Sequence, residues 1–336
     1  MAFVTRFAPS PTGPLHLGHA YSAMLGFDMA MREGGEWLLR IEDIDQQRSR
    51  PEWEAAVYRD LEWLGLWWPD PVMRQSERIH AYSEGLKRLN AAAKILYRCD
   101  CTRSDIAAAL DAPQEGTEPQ FGLDGLVYPG TCRTRNLPFE VPPLRHAEDV
   151  EALKLIQRGI ENTPIVQRFF ERLEAPPEIE ANHALRLRLE RAFEVAAQSR
   201  PGEPPFLEFR EEGYGPNGEH GLIFSHLEKM KGEVGDVVLS RREMGTSYHL
   251  SVVLDDAAQG VTHVVRGQDL FEATRIHVLL QHILRLPTPT YHHHRMIRDD
   301  QGKRLAKRDD ARALSKYRTE GATPADIRRM VGLPNP

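Results

Sequence analysis

Apolar positions along the chain come in two patterns: short solid runs, and longer stretches at helical spacing. FVTRFA at residues 3–8 reads as a short buried strand and EWLLRIE at 36–42 as a second. Between them Leu17, Ala20, Met24, Phe27 and Met31 recur three or four residues apart, the period of one helix face, and Gly34–Gly35 close that helix. Pro14 is placed in its first turn, where a missing N–H costs nothing. A strand, a helix and a strand in this order form a right-handed crossover, so the pattern predicts a parallel sheet. Amphipathic helices are expected at 51–65 and 77–96. Residues 111–145, rich in Pro, Gly and Asp, read as loop with short strands. Residues 147–174 read as two helices, the second capped by Thr163 and opened by Pro164. After a second Pro/Gly-rich stretch at 200–220, the α/β pattern returns. SVVLDD (251–256) and THVVRG (262–267) read as strands, LFEATRIHVLLQHILRL (270–286) as an amphipathic helix and YHHHRMI (291–297) as a strand. Such signals at both ends of the chain, with a different middle, predict one nucleotide-binding fold split by an insertion.

Composition narrows the class. With 336 residues and 41% apolar content, the chain can bury a sizeable core, in two or three domains by length. No apolar run approaches membrane-span length, and MAFVTRFAPS lacks the apolar core of a signal peptide, so a cytoplasmic protein without membrane contact is expected. Three cysteines are too few for a disulfide framework, yet Cys99, Cys101 and Cys132 fall within 34 residues. The net charge of −6 conceals an asymmetry. Residues 285–336 hold twelve Lys/Arg against six Asp/Glu, a local balance of +6 that leaves −12 on the rest. A basic segment on an acidic body suits contact with a polyanion such as phosphate.

The stretch FAPSPTGPLHLGHA, residues 7–20, carries the first chemistry. Neither G-x-G-x-x-G nor G-x-x-x-x-G-K-[ST] follows the first strand. The physics those motifs exploit is still present: a strand end, a Gly-containing turn and a helix N-terminus whose free N–H groups face outward. His16 and His19, three apart, share a helix face near that end, where imidazole N–H groups can donate to phosphate oxygens. A zinc reading of H-x-x-H would need a third ligand and the i, i+4 spacing of metalloenzyme helices, and neither is present.

APSPTGPLHLGHA resembles the "HIGH" signature of class I aminoacyl-tRNA synthetases in its glutamyl/glutaminyl form, and TRFAPSPTG and LLRIEDID resemble the same branch. The resemblance implies that this turn holds ATP, through Pro9, Gly13, His16, Gly18 and His19, and that both histidines stabilise phosphate charge during adenylate formation. It implies glutamate binding by the first strand and turn, here Arg6, Phe7, Ala8, Pro9 and Ser10, with Glu42 of the RIED run on the α-amino group. The charge logic agrees, because Arg clamps a carboxylate bidentately and Glu pairs with an ammonium. REMGTSYHLSVVLDDAAQGVTHVVRGQDL, residues 242–270, resembles the second half of that fold, which places Tyr248 and Arg266 in the amino-acid pocket. QGKRLAKRDDA, residues 301–311, occupies the place of the "KMSKS" loop. Lys307 then matches the Lys that stabilises the departing pyrophosphate, by electrostatics alone. Arg304 and Ala306 depart from the usual Lys and Ser. One lost neutral hydrogen bond there costs on the order of 1 kcal/mol.

YRCDCTRSDI and VYPGTCR gather three thiols in one irregular segment, a soft donor set that suits Zn²⁺ in a four-ligand structural site. The residues alone leave the fourth ligand open among Tyr128, Asp100, His146 and water. A subgroup of the family, the glutamyl-queuosine tRNA(Asp) synthetases, carries C-x-C…Y-x-x-x-C here. That resemblance makes Tyr128 the fourth ligand, with Cys99, Cys101 and Cys132, of a structural zinc.

These readings give an α/β fold: a class I synthetase Rossmann-type parallel sheet whose halves lie at 1–96 and 236–297. A zinc-bearing, tRNA-contacting insertion is expected at 97–235, and the KMSKS-type loop with a short helical segment at 298–336. Only 28 residues follow Arg308, so no anticodon-binding domain is expected, as in the subgroup. The resemblance implies a ligase that activates L-glutamate with Mg²⁺-ATP without tRNA. It then transfers glutamate to the cyclopentene-diol of queuosine in the anticodon of tRNA(Asp), as a monomer. The alternatives are an enzyme charging a tRNA 3′ end and a non-catalytic paralogue that binds RNA. Residues 139–180 match no pattern of the subgroup.

Overall fold

The computed structural model describes residues 2–93, 95–111, 121–122, 125–133, 183–198, 207–297 and 313–334, with isolated positions between 148 and 168. Strand β1 (Val4–Phe7) lies parallel to β2 (Glu36–Ile41), in register from Val4 opposite Glu36 to Phe7 opposite Leu39. The crossover between them is helix α1 (Leu17–Arg32). Its C-terminus is closed by Gly34 at φ 62°, a left-handed conformation that glycine adopts without penalty. Helix α2 (Pro51–Trp63), with proline in its first turn, leads to β3 (Met73–Arg74), parallel to β2.

Pro14 lies three residues ahead of α1, outside its first turn. The helix starts at Leu17 because the side chain of His16 caps it. The SVVLDD run is also not a strand: it lies within helix α7, introduced below. Seven of that helix's eleven residues are buried, from His249 to Asp256, so no polar face breaks the apolar run. A helix buried on all sides looks like a buried strand at this length, and β-branched Val252 and Val253 deepen the resemblance.

The middle of the chain adds helix α3 (Ile79–Ala93), strand β4 (Leu96–Cys99), helix α4 (Arg103–Asp111) and the small strands β5 (Phe121–Gly122) and β6 (Gly125–Leu126). Then come β7 (Ala184–Leu187), α5 (Leu189–Gln198), β8 (Leu207–Glu211), β9 (Gly221–Ser225), α6 (Leu227–Glu233) and β10 (Val238–Ser240). Antiparallel β10–β7–β4 forms its own sheet. The Pro/Gly-rich pattern of 200–220 conceals β8, which pairs with the later half of the chain. At Thr163 the cap expected from sequence is present: its Oγ1 accepts from the Val166 N–H at 3.3 Å.

Helix α7 (Tyr248–Ala258), strand β11 (His263–Gly267), helix α8 (Ala273–Leu284) and strand β12 (Thr290–His294) follow. Here β11, β12 and β8 run parallel, with antiparallel β9 at the edge. The Val4 carbonyl accepts from the Thr262 N–H at 2.9 Å, which seats β1 beside β11. Parallel strands thus fan out to both sides of the β1–β11 junction. Open α/β sheets bind ligands at the carboxyl ends of strands at such a reversal. The C-terminal helices α9 (Leu314–Thr319) and α10 (Pro324–Val331) return to the first half. Arg328 clasps Asp28 of α1 with two 2.7 Å bonds, and Leu314 and Ile327 enter the core around α1 and β2. No helix among the described residues is long and apolar enough to cross a membrane.

Candidate active site

The residues expected to bind substrate gather at the carboxyl ends of β1, β2 and β11 and at the head of α7. At the turn, His16 is the N-cap of α1: its Nδ1 accepts from the Gly18 N–H at 3.1 Å. Nδ1 of His19 accepts from the His16 N–H at 3.1 Å, completing a reciprocal capping box. With both Nδ1 atoms accepting, neutral rings carry their protons on Nε2. The rings stack at 3.8 Å. A Cβ on Gly18 would meet the His16 ring at 3.0 Å, so glycine leaves room for the imidazole to fold over the helix start. Pro9 is buried, and its carbonyl accepts from the Glu42 N–H at 3.0 Å, tying the turn to the end of β2.

The floor of the site is charged and buried. Nε of Arg6 pairs with Asp256 Oδ1 at 2.8 Å, and Nη1 of Arg40 reaches the same oxygen at 2.7 Å. Burial works to raise the Asp256 carboxyl, but Arg6 and Arg40 together hold it below its ordinary range. Arg6 therefore pairs with Asp256, while Glu42 receives Arg40 at a long 3.4 Å. Burial raises the Glu42 carboxyl above its ordinary 4.5, against the pull of Arg40 and Arg6. A carboxylate so placed gains most from a new cation, such as a substrate ammonium. Tyr248 opens α7. Burial pushes its phenol up, with Arg266 and Arg6 acting against that shift and Glu42 and Asp256 adding to it. The phenol therefore stays a hydrogen-bond donor at neutral pH. Arg266, at the end of β11, is buried and donates to His293, His277, Thr274 and the Leu270 carbonyl.

Sequence reasoning missed Arg40, Asp255 and Asp256. Asp255 accepts from Gln75, Arg78 and Tyr82, at 2.8, 2.6 and 2.8 Å, and so ties α7 to the start of α3. Two adjacent acids after an apolar run were the available signal, and the strand reading hid which way they face. Lys307, Arg304, Ala306 and Arg308 lie outside the described residues, as do His146 and most of 139–180. Just after the loop, Ala313 forms a β-bridge with His16, and the Leu314 N–H donates to the Leu15 carbonyl at 2.8 Å.

The cysteine segment closes as the spacing suggested. One sulfur atom from each of Cys99, Cys101 and Cys132 lies within 4.8 Å of the others, and none is in a disulfide. Tyr128 Oη stands 3.5 Å from the Cys99 sulfur and 3.6 Å from that of Cys101, and accepts from the Cys132 N–H at 2.8 Å. Asp100 Oδ1 is 3.1 Å from the Cys132 sulfur. Burial and the three thiols raise the phenol of Tyr128, and burial moves the Cys101 thiol to about 11. Three soft sulfur donors gathered around one phenol oxygen fit a zinc-sized cation.

A family model described as tRNA synthetases class I (E and Q), catalytic domain, matches residues 2–119 and 177–334. Unmatched residues 120–176 overlap the stretch that followed no subgroup pattern. A glutamyl-Q tRNA(Asp) synthetase of Rhodobacter capsulatus is 52% identical over 98% of this chain and 100% of its own. One of Geobacter sulfurreducens is 36% identical over 94% of this chain and 78% of its own. A glutamate tRNA ligase from Elizabethkingia meningosepticum, solved with its amino acid, has the same fold at TM-score 0.65 and 24% identity. That match covers 98% of this chain, which spans 60% of the ligase. With the family model matched over most of its length and a half-identical relative matched end to end, the chain belongs to the class I tRNA synthetases of the glutamyl and glutaminyl type.

Proposed function

We propose that this protein activates L-glutamate with ATP, without tRNA, and transfers the glutamyl group to the cyclopentene-diol of queuosine in the anticodon of tRNA(Asp). The observation that carries the reading is the buried charge set at the strand ends. Arg6 and Arg266 suit two carboxylates, and Glu42, weakly paired and raised, suits one ammonium. Glutamate has that charge pattern, and names of the half-identical and more distant relatives agree with it.

ATP, as its Mg²⁺ salt, sits over the turn at Pro9, Gly13 and Gly18. Nε2–H groups of His16 and His19 donate to phosphate oxygens, and the positive end of α1 adds to their effect. Phe7, Ala8 and Ser10 line the passage from strand to turn beside the amino acid. Tyr248 offers its phenol to the substrate. An oxygen of the glutamate α-carboxylate attacks the α-phosphorus, and the bond to pyrophosphate breaks. Lys307 compensates the charge that collects on the leaving group. The β-bridge from Ala313 to His16 supports this, since it ties the loop's exit to the ATP turn. A diol oxygen then attacks the activated carbonyl carbon, losing its proton as AMP departs. No protein nucleophile enters. The basic segment from Arg285 onward favours the RNA backbone.

Cys99, Cys101, Tyr128 and Cys132 would hold a zinc that shapes the segment beside β4 and supplies folding energy there. Pyrophosphate exchange into ATP tests the activation step. Exchange is expected with glutamate alone, without tRNA, and with glutamine lower by at least about a hundredfold. Equal exchange with both, or none with glutamate, overturns the reading.

A further inference from the structure

Arg266 has a set of partners that no substrate contact requires. Guanidinium has donors and no acceptor, so any nitrogen facing it must present a lone pair. Nε of Arg266 donates to His293 Nε2 at 3.1 Å, and Nη1 to His277 Nδ1 at 3.1 Å. Each contact fixes one tautomer. The proton of His293 is therefore on Nδ1, which faces Glu211 Oε2 at 2.5 Å. Oε1 of Glu211 accepts from the backbone N–H groups of Gly213 and His293, at 2.8 and 2.9 Å. The proton of His277 is on Nε2, which faces His249 Nδ1 at 3.2 Å, so His249 carries its own proton on Nε2. Burial pushes His293 down to about 4 and His277 well below its ordinary range, so both rings are neutral and their tautomers are defined.

The sheet builds this row. Arg266 and His293 are register partners across β11 and β12, and β8 brings Glu211 in beside Tyr291. All five side chains are buried. A direct Glu–Arg pair would quench the guanidinium. With a neutral imidazole interposed, the carboxylate offsets the buried cation from a distance and leaves its field for an incoming carboxylate.

We propose that Glu211, His293, His277 and His249 form a hydrogen-bonded chain, its two arms each accepting outward from Arg266, that orients the Arg266 guanidinium for a substrate carboxylate. Glu211 and His293 are then specificity-determining positioning residues. The inference rests on the reading of Arg266 as an arginine of the glutamate pocket.

Glu211→Gln tests it with almost no change of shape. The Gln carbonyl keeps both backbone bonds, while its NH₂ now faces His293 Nδ1. His293 must then carry its proton on Nε2, opposed to the Arg266 Nε–H. Expected are a rise of about tenfold or more in KM for glutamate in pyrophosphate exchange, KM for ATP within about twofold, and transfer of the His293 proton from Nδ1 to Nε2 in ¹⁵N-histidine NMR. Unchanged KM for glutamate, or equal rises in both KM values, overturns the inference. Should the variant fail to fold, the unsubstituted protein still decides: at pH 7, His293 must be the Nδ1–H tautomer and His277 the Nε2–H tautomer. Any other pairing overturns the chain. Absence of glutamate-dependent exchange in the unsubstituted protein overturns the functional reading, and the pocket role of Arg266 with it. Intact exchange with an unmoved KM in the variant overturns the chain alone.

Discussion

The proposed ATP turn and the proposed amino-acid pocket are joined by a bond from the Glu42 N–H to the Pro9 carbonyl, yet they are built in opposite ways. The turn is local. The Nδ1 atoms of His16 and His19 are held by capping hydrogen bonds that span two and three residues. The pocket is assembled at long range: Arg6 meets Asp256 across 250 residues, and His293 meets Glu211 across 82. Local capping sets which nitrogen carries a proton at small energetic cost. The buried charges hold only while each partner is present, because removing one leaves the other unpaired in a low-dielectric site.

Removing the shared partner should break the pocket most severely. Asp256→Ala leaves Arg6 and Arg40 buried without their common carboxylate and should cost about 3–5 kcal/mol in denaturant unfolding. A loss below about 1 kcal/mol would mean that water or Glu42 takes over the pairing.

At the turn, stability and chemistry should separate. His16→Ala should slow exchange about a hundredfold and cost about 1 kcal/mol as a lost cap. His16→Asn, a good N-cap with a shorter reach, should restore the stability and not the rate. Recovery of both by Asn would reduce His16 to a cap.

The cysteine cluster is a third, separate unit. Metal analysis of protein purified without chelator should find about one zinc per chain, and Cys132→Ser should lose it together with thermal stability. Pyrophosphate exchange should stay within about threefold, since the cluster lies outside the pocket. No zinc in the unsubstituted protein, or complete loss of exchange in the variant, would contradict that separation.

The smallest effect concerns Glu42. Its carboxyl is raised above 4.5, so it takes up a proton at a higher pH than an ordinary glutamate does. The substrate ammonium needs the ionised form, so protons compete with substrate. KM for glutamate should climb several-fold as pH falls from about 7 toward that raised value, with KM for ATP flat. Glu42→Gln should have a higher KM that no longer follows pH in this range. An equally steep profile in the variant would assign the titration elsewhere.

The same contrast explains what was legible in the sequence. The β1–α1–β2 unit and the His pair rest on spacing within one segment, and the structure places them within a few residues of expectation, apart from Pro14. The helix at 248–258 was not legible, because burial on every side erases the polar face that separates a helix from a strand. Strand β8 hides among prolines and glycines, and with it Glu211. Arg6, Glu42 and Arg266 could be picked out by resemblance. Asp256, 250 residues from Arg6, and His293, 27 residues from Arg266, leave no trace in local pattern, whereas Arg40, two residues from Glu42, reads only as one more residue of the strand.

Transfer of radiolabelled glutamate to tRNA(Asp), with and without queuosine, is the most direct test of the central claim. Label is expected on the queuosine-bearing tRNA alone, lost when the diol is first oxidised with periodate and retained on an anticodon-loop fragment after nuclease cleavage. Equal labelling of tRNA(Asp) that lacks queuosine, or label on the 3′-terminal fragment, would contradict that claim.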